Sequence, residues 1–385
     1  MTVAFSIFLL SVVIALGKIL GDCRIGGISL GVTWILFVGI LFAHFGYCPD
    51  AAVLHFVKEL GLIFFVYSIG MQVGPDFFSH FRSGGIRLNL LALLLVLLGV
   101  ATADALAGLT GIPMPTMVGI MSGAVTNTPG LGAAQQACAD GGADIATGYA
   151  VAYPFGMAGC ILSLTGLRKF FRRGGNGHGK VRAAGPEAAE GAETVPGTSL
   201  KGPDEPHLIP MFIGIALGCL LGSLPIRLPG LSQPVRLGLA GGPLILSILL
   251  GSLGPRLKIA TCPSTGANLM VREIGISLFL ACVGLEAGGG FVAALTGKGG
   301  PVWVGCGALV TLLPLVVCGT VGRCLLNIGR DRLAGVLAGA MTNPPALAFA
   351  TEQEENGNEA AVGYATVYPL AMFLRVLAAQ LMIAV

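Results

Sequence analysis

The sequence predicts an all-α integral membrane protein with two inverted repeats of about five transmembrane helices each, and with a broken or re-entrant segment in each repeat. Three observations support this prediction. The chain of 385 residues is 54% hydrophobic and only 11% charged, whereas about a quarter of the residues of a soluble domain are charged. Several apolar runs approach the roughly 20 residues that cross a bilayer. Three motifs also occur twice, in the same order in both halves.

The duplicated motifs divide the chain into two repeats and a linker. The matched stretches are GLIFFVYSIGMQVG at 61–74 with GISLFLACVGLEAG at 275–288, GAVTNTPGLGAA at 123–134 with GAMTNPPALAFA at 339–350, and GYAVAYPFGM at 148–157 with GYATVYPLAM at 363–372. The first membrane repeat is predicted to span 1–167 and the second 207–385. Residues 168–206 between them are rich in Gly, Pro, Ala and charge, which predicts a flexible linker.

Each repeat contains six apolar segments. In chain order, those of the first repeat lie near 3–20, 27–45, 51–72, 84–108, 115–138 and 143–167, and those of the second near 207–224, 237–253, 265–287, 300–322, 333–350 and 360–385. The fifth segment of each repeat contains a Thr-Asn pair that is closely followed by proline, TNTP at 126–129 and TNPP at 342–345. Because Pro lacks a backbone donor and Gly loosens a helix, this segment is predicted to break or turn back. The sequence leaves open whether 115–138 and 333–350 are re-entrant hairpins or broken crossing helices.

Basic residues predict the orientation in the membrane. The linker begins with a cluster of Lys and Arg and should therefore be cytoplasmic, and Arg82 and Arg87 after segment three should lie on the same side. Both conditions hold if segment five does not cross. Five crossings per repeat follow, with both termini periplasmic and the repeats inverted. Arg227, Arg236 and Lys298 then fall on the periplasmic side, against the rule.

The two breaks carry the strongest functional signal. A broken helix exposes unpaired N–H groups and carbonyls, and its N-terminus carries a positive partial charge. Two such ends meeting near the middle of the bilayer would hold an anionic group. The alternative is that these residues only kink the helices. The predicted substrate- or ion-binding residues are Thr126, Asn127, Pro129, Thr342, Asn343 and Pro345.

Two charged residues fall within apolar segments. Arg375 lies in the last one, where a charge is costly and by default faces the protein interior or a cavity. Arginine can grip a carboxylate with two parallel hydrogen bonds, so Arg375 is predicted to bind a substrate carboxylate. The alternatives are internal pairing and snorkelling to the surface. Asp104 is predicted to be a proton or cation site, or the internal partner of a base.

Four further residues are predicted to belong to a coupling or transport pathway. Gln72 and Glu286 occupy matched positions beside glycines four residues apart, a spacing that allows close helix contact. Packing alone would also explain these glycines. Tyr153 and Tyr368 belong to matched tyrosine pairs with a spacing of four, so each pair lies on one helical face. Tyrosines at membrane interfaces are the alternative explanation.

The sequence also excludes several classes of protein. It has no Walker A loop, which argues against ATP-driven transport. It has no clustered acid, base, nucleophile or metal site, so no enzyme activity, cofactor or metal is expected, and a net charge of +3 predicts no nucleic-acid partner. In a polytopic membrane protein, duplicated halves with a polar break in each indicate a secondary transporter.

The quoted motifs, GLIFFVYSIGMQVGPDFF, TNTPG with TNPPA, and the GYAxxYP pairs, resemble the aspartate:alanine exchanger family of bacterial secondary transporters. The resemblance covers both membrane halves outside 168–206. It implies antiport of amino acids or dicarboxylates at the inner membrane, ten crossings around a cytoplasmic loop, and a panel domain beside a core domain with broken helices. By analogy it also implies a homodimer. This chain resembles a short member, because its linker cannot hold the regulatory domains that many relatives carry there.

The sequence therefore predicts an antiporter that exchanges small carboxylates or amino acids, of the aspartate/alanine or C4-dicarboxylate type, by alternating access in the lipid bilayer. The alternative is a sodium- or proton-coupled transporter of an organic anion on the same fold, in which Asp104 and Glu286 would matter most. A channel is the less favoured third reading.

Overall fold

The computed structural model describes residues 3–21, 31–47, 49–82, 85–138, 142–170, 208–226, 235–257, 264–297, 299–352 and 359–384. This part of the chain is almost entirely helical. Of the predicted linker 168–206, only the first three residues are included, so the prediction of a flexible linker lies outside the described residues. The predicted all-α membrane fold class is confirmed.

Fourteen α-helices follow one another in the described part of the chain. They are α1 Val3–Gly21, α2 Trp34–His44, α3 Ala51–Arg82, α4 Ile86–Thr110, α5 Met114–Ala124, α6 Thr128–Ala137, α7 Ala143–Phe170, α8 Leu208–Ser223, α9 Gly238–Leu257, α10 Thr265–Thr296, α11 Gly300–Thr320, α12 Arg330–Ala340, α13 Pro344–Glu352 and α14 Glu359–Ala384. A 3₁₀ turn, Gly31–Thr33, precedes α2, and a π turn, Val321–Leu325, follows α11. Two short antiparallel strands, Pro225–Ile226 and Val235–Arg236, precede α9.

The helices divide by length and composition as a multi-pass membrane protein requires. Seven described helices are long and apolar enough to cross a bilayer, namely α1, α3, α4, α7, α10, α11 and α14, and α2, α8 and α9 are shorter apolar helices. Large apolar side chains such as Phe8, Ile209 and Leu220 are exposed on their outer faces. Lipid rather than water suits such surfaces. These ten helices match the ten predicted crossings in number.

The fifth segment of each repeat is a helical hairpin. The contacts between α5 and α7 follow the same direction along both helices. Gly119 meets the carbonyl of Ile145, and Gly123, one turn later, meets the carbonyl of Tyr149. Thus α5 and α7 run parallel. Near the end of α6, Gln135 Nε2 donates to the carbonyl of Gly142, just before α7 begins, at 3.3 Å. The chain therefore returns through α6 to the level at which α5 began, as a re-entrant hairpin does.

The second repeat has the same arrangement. Gly335 of α12 meets Ala360 of α14, and Gly339 meets Tyr364 one turn further along both helices. The parallel alignment of α12 with α14 requires α13 to turn back, as α6 does. Of the two alternatives that the sequence left open, the geometry corresponds to the hairpin in both repeats.

Helices of the two repeats pack into two mixed groups. In the first group, α3 packs against α9 and α10, and α2 packs against α10. The second group contains α4, α7, α11 and α14 together with the two hairpins. Contacts of α7 with α10 and of α6 with α9 connect the groups. This division agrees with the panel and core domains that the resemblance implies.

Equivalent glycines form the centre of the first group. A Cβ atom on Gly61 of α3 would lie 2.8 Å from the carbonyl oxygen of Gly275 of α10, and one on Gly275 would lie 2.7 Å from that of Gly61. Only glycine allows so close an approach. Nearby, Asn268 Nδ2, at the start of α10, donates to the carbonyl of Ser68 in the middle of α3. The equivalent helices α3 and α10 thus run antiparallel, which favours the prediction of inverted repeats.

Candidate functional site

Local chemistry explains why the chain breaks at the two Thr-Asn motifs. Thr126 and Thr342 have φ angles of +54° and +52°, in the left-handed region that ends a helix. The following asparagine caps the next helix: Asn127 Oδ1 accepts from the backbone N–H of Gly130, and Asn343 Oδ1 from that of Ala346 at 2.9 Å. Pro129, Pro344 and Pro345 occupy the first positions of α6 and α13, where no backbone donor is needed.

The two breaks touch each other. Thr126 Oγ1 lies 3.2 Å from the carbonyl oxygens of both Met341 and Thr342. In return, Thr342 Oγ1 donates to the carbonyl of Val125 at 2.9 Å and accepts from Asn127 Nδ2 at 3.3 Å. Each threonine therefore satisfies a carbonyl that the other break exposes. Both residues are buried, so this crossing lies inside the protein.

Four helix ends converge at the crossing. The N-termini of α6 and α13 bring positive partial charge, and the C-termini of α5 and α12 bring negative partial charge. Such a place offers N–H donors to an anionic group and carbonyl oxygens to a cation. The arrangement brings together Thr126, Asn127, Thr342 and Asn343, four of the residues predicted from the sequence.

Arg375 of α14 lies at the same crossing. It is only 4% exposed, and both its Nε and its Nη2 donate to the carbonyl of Ala340, the last residue of α12, at 2.9 and 2.7 Å. A cation stabilises the negative end of a helix dipole. Among the described residues, the ion pairs of Lys18 with Glu273, Lys58 with Glu286, Arg168 with Asp331 and Arg332 with Glu359 do not include Arg375. Its full charge is therefore opposed only by helix-end partial charges in this part of the structure.

The predicted tyrosines lie beside the crossing but face different partners. Tyr153 is buried and its hydroxyl accepts from Thr33 Oγ1 at 2.8 Å, so it joins α7 to the turn before α2. Tyr368 stacks on Tyr364 with ring centroids 5.0 Å apart. Sequence reasoning missed one contact, the 2.9 Å hydrogen bond between Tyr149 Oη and Thr128 Oγ1. The spacing of Tyr149 and Tyr153 was the only available signal for it.

Gln72 and Glu286 lie at the contact of α3 with α10 and, within the described residues, form no hydrogen bond with either break. Lys58 Nζ donates to both carboxylate oxygens of Glu286 at 2.8 Å, and Arg272 Nη1 donates to Gln72 Oε1 at 3.2 Å. The pairs are equivalent, because Lys58 matches Arg272 and Gln72 matches Glu286 in the two repeats. The sequence analysis did not predict that Lys58 pairs with Glu286 or Arg272 with Gln72. The signal was present, because the matched residues of the two repeats are separated by the same number of positions in the chain.

Asp104 is not part of this arrangement. It is exposed on α4, six residues before the helix ends. No hydrogen bond or ion pair links it to another described residue. The described residues also contain no group of three His, Cys, Asp or Glu side chains placed as metal ligands would be.

The membrane region of one protein family matches most of the chain. Residues 9–169 and 210–384 match the aspartate:alanine exchanger profile, described as a predicted permease membrane region. The chain is also similar to an uncharacterized transporter of Bacteroides fragilis, with 41% identity over 99% of this chain and 96% of that protein. An uncharacterized transporter of Bacteroides thetaiotaomicron is 36% identical over 99% and 97%, and a transport protein of Aeromonas hydrophila is 35% identical over 99% and 98%.

These relatives are longer than this chain. The alignment with the Bacteroides fragilis protein has 541 positions, so at least 156 of them face a gap in a chain of 385 residues. The two stretches that match the family lie on either side of the predicted linker. The chain is a multi-pass membrane protein of the transporter class and belongs to the aspartate:alanine exchanger family.

Proposed function

We propose that this transporter is an antiporter that exchanges small carboxylates or amino acids, of the aspartate/alanine or C4-dicarboxylate type, by alternating access. The observation that carries the proposal is the buried crossing of the two breaks with Arg375 beside it. Helix N-termini and an arginine without an acidic partner among the described residues together favour an anion. Amino acids and dicarboxylates carry the carboxylates that such a site would bind.

The packing suggests how the site would reach both sides of the membrane. Both hairpins belong to the second helix group, so the crossing would move with that group as one body. The first group, which has the close contact of α3 with α10 at its centre, would stay in place. Movement of one group against the other around a fixed site is the usual route to alternating access. In strict exchange, the loaded carrier reorients quickly and the empty carrier slowly.

The proposal includes the surroundings of the protein. We place it in the bacterial inner membrane, with the linker cytoplasmic and both termini periplasmic, and expect a homodimer by analogy with the family. The rival function is sodium- or proton-coupled transport of an organic anion. The carbonyl oxygens of Val125, Met341 and Thr342 favour this rival, because all three are at the crossing and could coordinate a cation.

Counterflow in proteoliposomes tests the proposal. Purified protein is reconstituted with unlabelled aspartate, alanine, glutamate or succinate inside, and entry of labelled aspartate is timed. Exchange predicts entry only into loaded liposomes, whereas entry into empty liposomes driven by a sodium or pH gradient would support the rival. Entry far faster than a carrier allows, and indifferent to internal substrate, would indicate a channel.

Variants of Arg375 connect this activity to the crossing. Arg375→Lys keeps the positive charge and a donor for the carbonyl of Ala340, but it cannot form two parallel hydrogen bonds to a carboxylate. We expect it to fold and to raise KM about tenfold or more, since hydrogen bonds to charged groups contribute about 1.5–3 kcal/mol. Arg330→Ala is the matched control, because it removes an exposed arginine at the other end of α12. Equal KM values in the two variants would contradict the role of Arg375.

A further inference from the structure

The two halves of the crossing differ at a pair of equivalent tyrosines. Tyr149 and Tyr364 occupy matched positions, and each lies against its break, since Tyr149 meets Gly123 and Tyr364 meets Gly339. The hydroxyl of Tyr149 is bonded to that of Thr128. The residue that matches Thr128 is Pro344, which has no hydroxyl. Tyr364 is 1% exposed, and its hydroxyl has no hydrogen-bond partner among the described residues.

The equivalent asparagines differ in the same direction. In both, Oδ1 caps the following helix, which fixes the orientation of the amide. Asn127 then directs Nδ2 to Thr342 Oγ1 and to the sulfur of Met372, at 3.3 Å each. Asn343 is fully buried, and its Nδ2 has no partner within the described part of the chain. The second half therefore holds two buried polar groups without a hydrogen bond where the first half has both satisfied.

The charge of the site also belongs to the second half. The position that matches Arg375 in the first repeat is Cys160. There the carbonyl of Ala124, at the end of α5, accepts from Thr311 Oγ1 at 2.8 Å, a neutral contact. The corresponding carbonyl of Ala340 accepts from the guanidinium of Arg375. A second observation thus distinguishes the halves, independently of the unpaired groups.

Buried polar groups without hydrogen bonds are costly and rare, so each one asks what satisfies it. Nδ2 of an asparagine only donates, and a tyrosine hydroxyl donates readily. A cation needs oxygen ligands and gains nothing from an amide nitrogen. The complementary group is an acceptor, and beside Arg375 a carboxylate oxygen fits best.

We infer that the second half of the crossing recognises the ligand. Tyr364 Oη and Asn343 Nδ2 donate hydrogen bonds to carboxylate oxygens of the transported anion. The first half, through Thr128, Tyr149 and Asn127, holds the crossing together instead. This inference rests on the proposed function and adds Tyr364 to the site as a residue that determines specificity. It also predicts that the two repeats are not interchangeable in binding, although they are alike in fold.

Equivalent variants in the two repeats test the inference. Tyr364→Phe and Tyr149→Phe each remove one hydroxyl and nothing else. We expect Tyr364→Phe to raise the KM for aspartate in counterflow about tenfold to a hundredfold, the effect of one hydrogen bond to a charged acceptor. Its Tm in detergent without ligand should stay equal or rise, because an unsatisfied group disappears. Tyr149→Phe should leave KM within about twofold of the wild-type value. It should lower Tm, because the buried hydroxyl of Thr128 loses its hydrogen-bond partner.

A third variant approaches the same hydroxyl from the other side. Pro344→Thr supplies the residue that the first repeat has at Thr128, and the new hydroxyl should bond to Tyr364 and weaken aspartate binding. Wild-type KM in Tyr364→Phe, with normal counterflow by the wild-type protein, would overturn the inference and leave the proposed function standing. No counterflow and no aspartate-induced rise of Tm in the wild-type protein would overturn both.

Discussion

Thr126 and Thr342 hold β-branched side chains in the left-handed region, where only glycine is free of strain. Their φ angles are +54° and +52°, and Asn327, on the exposed turn after α11, has a φ of +52° as well. A left-handed conformation costs about 1–2 kcal/mol in a residue with a Cβ atom. Backbone strain of this size clusters at functional sites. At both threonines, the hydroxyl satisfies a carbonyl of the opposite break.

Glycine substitutions separate this strain from the function of the hydroxyl. In Thr342→Gly the backbone is relieved, but the carbonyl of Val125 loses its donor, so the two effects on stability should nearly cancel. We expect counterflow to fall about fivefold, because the loss of a buried hydrogen bond that contributes about 1 kcal/mol weakens the contact between the two breaks. Asn327→Gly is the control: it relieves the same φ angle outside the crossing and should raise stability by at most about 1 kcal/mol without changing transport. Equal transport by both variants would contradict the prediction.

Much of the candidate site could be predicted from residue types alone. In each Thr-Asn motif with its following proline, the residue types predict the end of one helix, an N-cap and the start of the next helix. Because the motif occurs twice, it predicts two breaks. The partner of Arg375 could not be predicted, because the carbonyl of Ala340 is one of many equal acceptors in the sequence. Asp104 was assigned from its charge in an apolar run, and only packing shows that it is exposed on α4. The contrast between Tyr149 and Tyr364 likewise requires coordinates.

Between elements, the contact of α3 with α10 shows how the duplication is used in packing. Close approach at Gly61 and Gly275 leaves no room for side chains on the axis. The polar residues then pair at the two ends, Lys58 with Glu286 and Arg272 with Gln72. Lys58 is nearly buried, its side chain 6% exposed against 18% for Glu286. Burial makes an ion pair sensitive to loss of one partner.

The first repeat suggests how to vary this pair. Glu286→Gln would imitate the Gln72 contact and keep an oxygen acceptor for Lys58, whereas Glu286→Leu would leave a buried charge unpaired. We expect Glu286→Leu to cost about 3 kcal/mol of stability or more and Glu286→Gln to cost less than half of that. Thermal unfolding in detergent measures both. Equal costs would show that the acceptor oxygen does not matter.

The same variants test the predicted coupling role of Glu286. If the residue only joins helices, Glu286→Gln should transport at a rate that follows its stability. A stable Glu286→Gln protein that has lost ion dependence would instead assign the carboxylate to coupling. Gln72→Glu, which places a second carboxylate opposite Arg272, is the matched control, since it strengthens the equivalent contact without touching Glu286.

At the scale of the whole molecule, a contact between helix ends that are distant in sequence shows which of them lie on the same side of the membrane. Arg168, near the end of α7 and at the start of the predicted linker, donates from Nη2 to Oδ1 of Asp331, near the start of α12, at a distance of 2.7 Å. These residues therefore lie on one face. The basic residues of the linker predict that it is cytoplasmic, so Asp331 is predicted to lie on the cytoplasmic side as well. Arg236 remains an exception to the rule that basic residues lie on the cytoplasmic side. It pairs with Pro225 in the strands after α8, on the side predicted to be periplasmic.

Cysteine accessibility tests this orientation. Cys324 is free and exposed on the π turn after α11, and Leu224, the residue after α8, is 56% exposed. The helices α9, α10 and α11 separate the two positions, so three crossings would put them on opposite sides. We expect a membrane-impermeant maleimide to modify Cys324 only in inside-out vesicles and Leu224→Cys only in spheroplasts, as read by peptide mapping. Modification of both from one side would contradict the crossings, and the reverse pattern would move the linker outside, away from the position that its basic residues predict.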